Sequence, residues 1–433
     1  MEEHRRNKSG EHRRAKNRRK KNGGTKSEEK IRGKAPEEKK TVVIVGGNAG
    51  SIAAKILCDD FNVILIDQKE YYEIVPGNVE CMLEPEKFEK FYSIAHKTLH
   101  PKATVKIGKA QFIAAENNSS SNIIRINNSE DIQYDFLIIA IGQPYPFWKA
   151  GDDFEKEDNH NYKTIEGRKK IYVKRREEIE KANHILIAGG GAVGVEACGE
   201  ILDQFPNKQI TMVSAEEVIL PGEVDKVQKG VLKVFNKFKN FKFIKNEKVE
   251  IISEADDNSN KKQYQLSNSK TILGDSDSIL HIRCYPGTFE GKTFMPEKYC
   301  DANGRIVTDT YSQVIGLEGT CFSIGDAANG KGRGRDNMGA FSQIASKEAI
   351  NVCDNIYRIL NNEPIQQLPP QKLINLQTIG SFNLVGTIYK PDGRPRTSFT
   401  GGFLSKKVIK KKIAFHQKQN EMKMNITKEN THL

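Results

Sequence analysis

Nowhere in its 433 residues does the chain hold 18 consecutive apolar positions, so no segment is suited to crossing a membrane as a helix. Paired cysteines are missing too. The seven cysteines, at 58, 81, 198, 284, 300, 321 and 353, are scattered and never form C-x-x-C. That usage excludes a disulfide framework and fits a reducing compartment in which thiols serve as small core residues. Cys58 and Cys81 are also too far apart in the chain to form a redox disulfide by local geometry. No Ser-His-Asp, Cys-His or metal constellation stands out. His96 and His100, spaced i,i+4, could share a helical face, but no third ligand lies near and Pro101 marks a helix end. No metal site is therefore expected. A secretory apolar core is absent, and Glu2, Glu3 and Glu11 argue against a mitochondrial presequence. A cytoplasmic protein is the expectation.

The net charge of +12 is unevenly placed. Residues 1–40 hold 16 Lys and Arg against 7 Glu, a local +9 that leaves +3 for the other 393 residues. This polar arm is expected to be disordered, either as a plain solvated tail or as a nucleic-acid or nuclear-address segment. The body that follows is close to neutral.

The strongest pattern is Ala182 to Glu217. An apolar run, His184 to Ala188, enters a glycine cluster, and a helix with small residues follows from Ala192. Gly189, Gly191 and Gly194 occupy the first, third and sixth places of G-x-G-x-x-G. Those places call for a tight turn, a bare backbone beside a pyrophosphate, and close packing of helix on strand. The free N–H groups and dipole of the helix N-terminus favour the anion.

A weaker copy opens the ordered chain. Val42 to Val45 is an apolar strand, Gly46 holds the first glycine place, and Asn48 and Ser51 stand at the third and sixth. Asn tolerates left-handed backbone and Ser is small, so the turn can survive. A second strand, Asn62 to Ile66, ends on Asp67, an acid positioned to accept ribose hydroxyls. Far downstream, Thr320 to Ile324 is a short strand that stops at Gly325-Asp326, and a long helix follows from about Asn337. An Asp there can bind a sugar or ribityl hydroxyl. The helix N-terminus behind it would favour negative charge on a reduced flavin by about 1–2 kcal/mol. The second nucleotide unit is thus expected to be inserted into the first.

Between these motifs, Tyr71 to Pro101 carries helical periods, and Ala103 to Ile126 reads as a hairpin in a small sheet. Phe136 to Ile139 is a buried strand, and Pro144, Pro146 and Trp148 suggest a crossing between domains. Residues 163–181 form a charged amphipathic helix, Asp225 to Lys239 another helix, and Lys248 to Lys270 a polar-tipped hairpin. Beyond residue 366 come a hairpin, NLQTIGSFNLVGTIY, and a lysine-rich helix in which Leu404, Val408 and Phe415 fall within about 40° of one another. Such a helix can lie on an anionic membrane surface or dock on its own protein body; both placements stay open.

The stretches GGGAVGVEACGEILDQFP, CFSIGDAAN, IDQKEYY and DFLIIAIG together resemble the flavin-dependent pyridine-nucleotide oxidoreductases. Within them they resemble the ferroptosis-suppressor and apoptosis-inducing-factor-homologue branch, related to type II NADH dehydrogenases. The resemblance spans about residues 41 to 415. It implies a tightly held FAD, NADH or NADPH as hydride donor, and a quinone or similar acceptor. It also implies that Gly46, Gly47, Gly50, Asp67, Ile141, Gly142 and Asp326 hold FAD, and that Gly189, Gly191, Gly194 and Glu196 position the nicotinamide cofactor. Some positions depart from the pattern. Ile141 stands where relatives carry Thr, Asn337 precedes Met338-Gly339 where many carry Lys before Met-Ala, and Glu2 follows Met1 where N-myristoylation needs glycine.

The expected architecture is α/β, with two Rossmann-like domains and a small C-terminal α+β part. Its expected bounds are an FAD-binding domain at 41–146 and 296–365, an NAD(P)H-binding domain at 147–295, and a C-terminal part at 366–433. The leading expectation is hydride transfer from NAD(P)H to FAD and onward to a quinone, with the flavin and no single side chain carrying the redox step. Alternatives are a reductase of an electron-carrier protein or radical, a nucleic-acid-binding effector that keeps a structural flavin, and a scaffold without turnover.

Overall fold

The computed structural model describes residues 39–113, 122–143, 161–253, 262–285, 291–329, 342–380 and 383–400. Nearly all of the basic arm, Pro144 to Trp148, Asn337 and the lysine-rich helix after Thr400 lie outside the described residues. In chain order the principal elements are β1 (Thr41–Val45), α1 (Asn48–Leu57), β2 (Asn62–Asp67), β3 (Thr104–Ile107), β4 (Phe136–Ile139), α2 (Ile165–Lys181), β5 (His184–Ala188), α3 (Ala192–Gln204), β6 (Gln209–Val213), α4 (Asp225–Phe235), β7 (Phe241–Ile244), β8 (Ile279–Arg283), β9 (Cys321–Ser323), α5 (Ser342–Leu360), β10 (Ile374–Ile379), β11 (Asn383–Tyr389) and β12 (Pro395–Thr400).

The apolar runs that the sequence marks as strands are covered on both faces, which favours parallel pairing. Five of them form one parallel sheet in the order β9-β4-β1-β2-β3. The order reverses between β1 and β4, the crevice where open α/β sheets bind their ligands. Strand β9 joins this sheet beside β4, with Cys321 opposite Leu137, although a whole second unit lies between them in sequence. That second unit is a parallel sheet in the order β7-β6-β5-β8, reversing between β5 and β8. The chain therefore has two Rossmann-like units, the second inserted in the first.

Helices α1 and α5 cover one face of the first sheet. The small residues Ala49, Ala53 and Ala54 of α1 let α5 approach with Ala345, Ala349, Val352 and Cys353. The other face is covered by an antiparallel sheet of Ala110–Ile113, Ile123–Ile126 and Glu130–Gln133. A matching antiparallel sheet, Val249–Ser253, Lys262–Leu266 and Ile272–Asp275, flanks the second unit.

Two expectations change. The segment 103–126 is not a single hairpin, because Thr104–Ile107 leaves it to become the parallel edge strand β3 beside β2. Only Ala110 onward pairs antiparallel. The segment 71–101 is only partly helical. Tyr71–Glu73 pairs with Ser93–Ala95, and short helical turns lie between and after them. Its aromatic residues Tyr71, Phe88 and Tyr92 gather with Tyr172 in a separate small core, and this tertiary packing overrides the helical period.

The C-terminal hairpin is present and gains a third strand, giving the antiparallel order β10-β11-β12. It lies on α3 and α4, with Ile379 and Val385 entering the core of the second unit. Gly199 on α3 permits this contact, since a Cβ there would stand 2.7 Å from the Ile379 Cα.

Candidate functional site

Both glycine turns sit at the carboxyl ends of their sheets, at the reversal points. In the first, Gly46 and Gly47 have φ of 76° and 66°, and a Cβ on Gly47 would stand 2.1 Å from the Ala140 carbonyl oxygen. The turn thus closes directly on the end of β4. In the second, Gly189 has φ of 121°, and a Cβ on it would stand 2.7 Å from the Cys284 carbonyl, just past the end of β8. Each turn is pressed against the strand across the crevice, and both do it at a backbone that only glycine provides without strain.

The helices behind the turns begin in the same way. Gly47 caps α1 and Gly191 caps α3, and neither cap carries a side-chain hydrogen bond. The first-turn N–H groups of both helices thus keep their anion-binding capacity, which fits the pyrophosphate of a dinucleotide. The turns differ at the sixth place. A Cβ on Gly194 would lie 1.9 Å from the Gly189 carbonyl, so only glycine fits there. Ser51, its counterpart, is accommodated and buried, while a Cβ on Gly50 one residue earlier would stand 3.0 Å from Ile44 Cγ2.

Around the first turn, Gly142 has φ of 68° and follows the half-buried Ile141 at the end of β4. Asp326 lies in a single turn after β9, whose Gly325 has φ of 69°. The Gly325 N–H donates to Glu348 Oε2 at 2.9 Å, and this buried glutamate on α5 fixes the turn that carries Asp326. Asp67 closes β2, and its Oδ1 accepts the Lys69 N–H at 2.9 Å. Asn48 accepts from the Tyr72 hydroxyl at 2.6 Å. The structure therefore gathers Gly46, Gly47, Asn48, Gly50, Ser51, Asp67, Ile141, Gly142 and Asp326 at the carboxyl end of one sheet.

Around the second turn, Glu196 is met by the C-terminal sheet, with the Thr378 N–H donating to its Oε1 at 3.3 Å. At the end of β6, the buried Ser214 accepts the Glu216 N–H through its Oγ at 3.2 Å. Glu217 pairs with Lys245, which follows β7, at 3.1 Å. A cleft of about 800 Å³ lined by Phe205, Lys208, Lys239 and Lys242 lies at the opposite, amino end of this sheet. The carboxyl ends bind nucleotides in such folds, so that cleft is separate from the site.

The two units are joined by a buried ion pair that the sequence does not reveal. Glu73 Oε1 accepts from Arg168 Nη2 at 2.8 Å and Nε at 3.1 Å, while its Oε2 accepts from Lys69 at 2.7 Å. Burial alone would raise the Glu73 pKa. The Arg168 and Lys69 cations override it and hold the carboxyl at about 2. All seven cysteines are free thiols. Burial raises Cys284, beside the second turn, to about 12, so it stays protonated at neutral pH. Among the described residues no group of three His, Cys, Asp or Glu could hold a metal ion. His96 and His100 face Asp67 and Ser51.

Sequence reasoning missed Tyr72 and Glu348. Glu348 had a signal, an acid on the buried stripe of an amphipathic helix; Tyr72 had none.

A family model described as pyridine nucleotide-disulphide oxidoreductase matches residues 39–349. Ferroptosis suppressor protein 1 of Xenopus laevis is 23% identical over 354 residues, covering 81% of this chain and 89% of that protein. The sulfide:quinone oxidoreductase of Aquifex aeolicus superposes with a TM-score of 0.66 at 18% identity, covering 89% of this chain and 92% of that one. NDH2 of Plasmodium falciparum, solved in complex with NADH, superposes with a TM-score of 0.64 at 15% identity, covering 90% and 98%.

Proposed function

Because this chain belongs to the pyridine nucleotide-disulphide oxidoreductase family, we propose that it is an FAD-dependent NAD(P)H oxidoreductase that passes electrons to a quinone-type acceptor. The carrying observation is the pair of glycine turns, each pressed on the strand across its crevice and each followed by a helix with an open N-terminus. The proposed division assigns 41–146 and 296–365 to FAD, 147–295 to NAD(P)H, and 366–433 to a C-terminal hairpin and basic helix.

In this reading Gly46, Gly47 and the first turn of α1 hold the FAD pyrophosphate. Gly50 and Ser51 set the distance of α1 from the sheet, and Asn48 keeps its amide on Tyr72. Asp67 accepts the ribose hydroxyls and Asp326 a ribityl hydroxyl. Gly142 with Ile141 lines the crevice at the end of β4. Gly189, Gly191 and the first turn of α3 hold the pyrophosphate of NAD(P)H, and Gly194 lets α3 close on the strand. Glu196 fixes α3 against β10 through Thr378 and so sets the depth of the nicotinamide pocket. A bound flavin supplies the ring that takes hydride from the nicotinamide and afterwards releases electrons one or two at a time. The protein supplies orientation and exclusion of water.

The acceptor class is supported by the quinone named in the Aquifex relative and by the absence of paired cysteines that would serve disulfide chemistry. The test is an absorbance spectrum of the purified protein before and after anaerobic NADH or NADPH, followed by addition of a short-chain quinone. Flavin bands should bleach with the nucleotide and return with the quinone. A colourless protein that takes up no FAD, or bands unmoved by either nucleotide, would overturn the reading.

A further inference from the structure

His96 and His100 carry no role in the reading above, yet both are buried beside the first nucleotide motif, at 1% and 4% exposure. Their rings stack with centroids 6.1 Å apart and planes at 25°. His100 Nε2 lies 2.5 Å from Ser51 Oγ, and His96 Nε2 lies 3.3 Å from Asp67 Oδ2. The Tyr72 hydroxyl, from the same stretch of chain, donates to Asn48. The three polar residues of the first nucleotide motif, Asn48, Ser51 and Asp67, are therefore each met by one side chain between positions 72 and 100.

The physical reason differs among the three. The buried Ser51 hydroxyl and the half-buried Asn48 amide, both standing in place of glycine, need hydrogen-bond partners, and His100 and Tyr72 supply one each. Asp67 is different, because its Oδ1 is already held by the Lys69 N–H and its Oδ2 is the oxygen that His96 faces. Neither ring nitrogen of His96 completes a hydrogen bond, although the ring is almost fully buried. A buried imidazole with that much unspent capacity, 3.3 Å from a carboxylate at the end of β2, is built to hold that carboxylate in one rotamer. His100 is kept neutral, its pKa lowered to about 4 by burial first, then by His96 and by Lys55 of α1. It can therefore stack on His96 without charge repulsion.

We infer that His96 is a positioning residue for the adenosine half of FAD, acting through the Asp67 carboxylate that accepts the ribose hydroxyls. This rests on the assignment of the first glycine turn to FAD. His96 faces Asp67 at the end of β2, so the effect assigned to it is confined to the half of FAD that FMN lacks.

The test measures FAD and FMN affinity of the full-length chain by flavin fluorescence, together with the rate of FAD release from the holoprotein. His96→Leu should weaken FAD about ten-fold, because the imidazole that faces Asp67 Oδ2 at 3.3 Å is lost and the carboxylate is free to leave its rotamer. It should leave FMN affinity unchanged. His96→Gln, which keeps an N–H donor, should recover FAD to within about three-fold of wild type. In an Asp67→Asn background, His96→Leu should add little, because the two act on one interaction. Unchanged FAD affinity in His96→Leu, or an equal loss for FAD and FMN, would overturn the inference. If His96→Leu does not fold, His96→Gln and Asp67→Asn decide it, since a Gln variant that loses FAD as fully as Asp67→Asn also counts against it. A wild-type chain that takes up no FAD overturns the flavin assignment itself, and is a different result from tight wild-type binding with an indifferent His96.

Discussion

Arg168 and Glu73 form a 2.8 Å ion pair whose side chains are 2% and 4% exposed, and it joins the start of α2 to the first nucleotide unit. The neighbours Lys69 and Tyr172 complete the carboxylate's shell. Removing one partner of such a pair leaves a buried unpaired charge, at a typical cost of about 3–5 kcal/mol. Glu73→Gln should therefore lower stability strongly at pH 7. The pKa of Glu73 is lowered from 4.5 to about 2, so its contribution is full above about pH 4.5 and is lost as pH falls toward 2. The stability gap between wild type and Glu73→Gln, followed by denaturant titration, should be constant from pH 7 to 5 and shrink below that. A gap independent of pH would contradict the ion-pair account.

The two glycine turns should separate by cofactor. Gly47→Ala meets the Ala140 carbonyl at 2.1 Å and Gly194→Ala meets the Gly189 carbonyl at 1.9 Å. Gly47→Ala should purify with little flavin. Gly194→Ala should keep its flavin and lose at least ten-fold in the rate of reduction by NADH at low nucleotide concentration. The flavin-to-protein ratio and rapid-mixing absorbance check both, and loss of flavin from Gly194→Ala would reverse the assignment of the turns.

NADH should be the better donor. At the end of β6 the Ser214 hydroxyl is tied to the Glu216 backbone, and Lys245 is neutralised by Glu217 at 3.1 Å. A 2′-phosphate there meets acids and a cation already paired. One charge pair at 4 Å in water is worth about 1 kcal/mol, roughly five-fold. Glu217→Gln should raise kcat/KM for NADPH by about that factor and leave NADH nearly unchanged. Steady-state comparison of the two nucleotides decides it.

Glu223 should anchor the C-terminal sheet. It is buried, and it accepts from Thr387 Oγ1 at 2.7 Å, from Tyr389 at 3.3 Å and from Asn375. Glu223→Ala strands three donors and should cost about 2–4 kcal/mol. It should also open the connection between α5 and β10 to proteolysis. Equal protease resistance in variant and wild type would show that apolar packing alone holds the sheet.

Much of this was readable from local pattern. Apolar runs of four to six residues ending in glycine are too short for helices and read as buried strands, so β1, β4, β5 and β9 and the two turns were visible from composition and spacing. The Gly325-Asp326 turn was visible for the same reason. Other features carry no local signature. The stripe of α2 that faces inward includes Arg168, Tyr172, Arg175 and Ile179, and the reading of a charged amphipathic helix did not show which charges turn inward. Arg168 is buried because Glu73, distant in sequence, comes to meet it. Thr104–Ile107 likewise reads as half of a hairpin and becomes a parallel edge strand because β2 offers it an unpaired edge.

By itself, the sequence determined the two glycine turns, the strands that feed them, and the insertion of one unit in the other. Each of these follows from residue types acting within a few positions, through backbone freedom at glycine and burial of short apolar runs. Only the tertiary structure decided what stands behind the weaker motif. Asn48, Ser51 and Asp67 depart from or complete the glycine pattern, and each is met by a side chain 24 to 49 positions away. Polar groups find their partners in space and not along the chain, so a motif's departures could be counted from the sequence but the side chains that meet them could not.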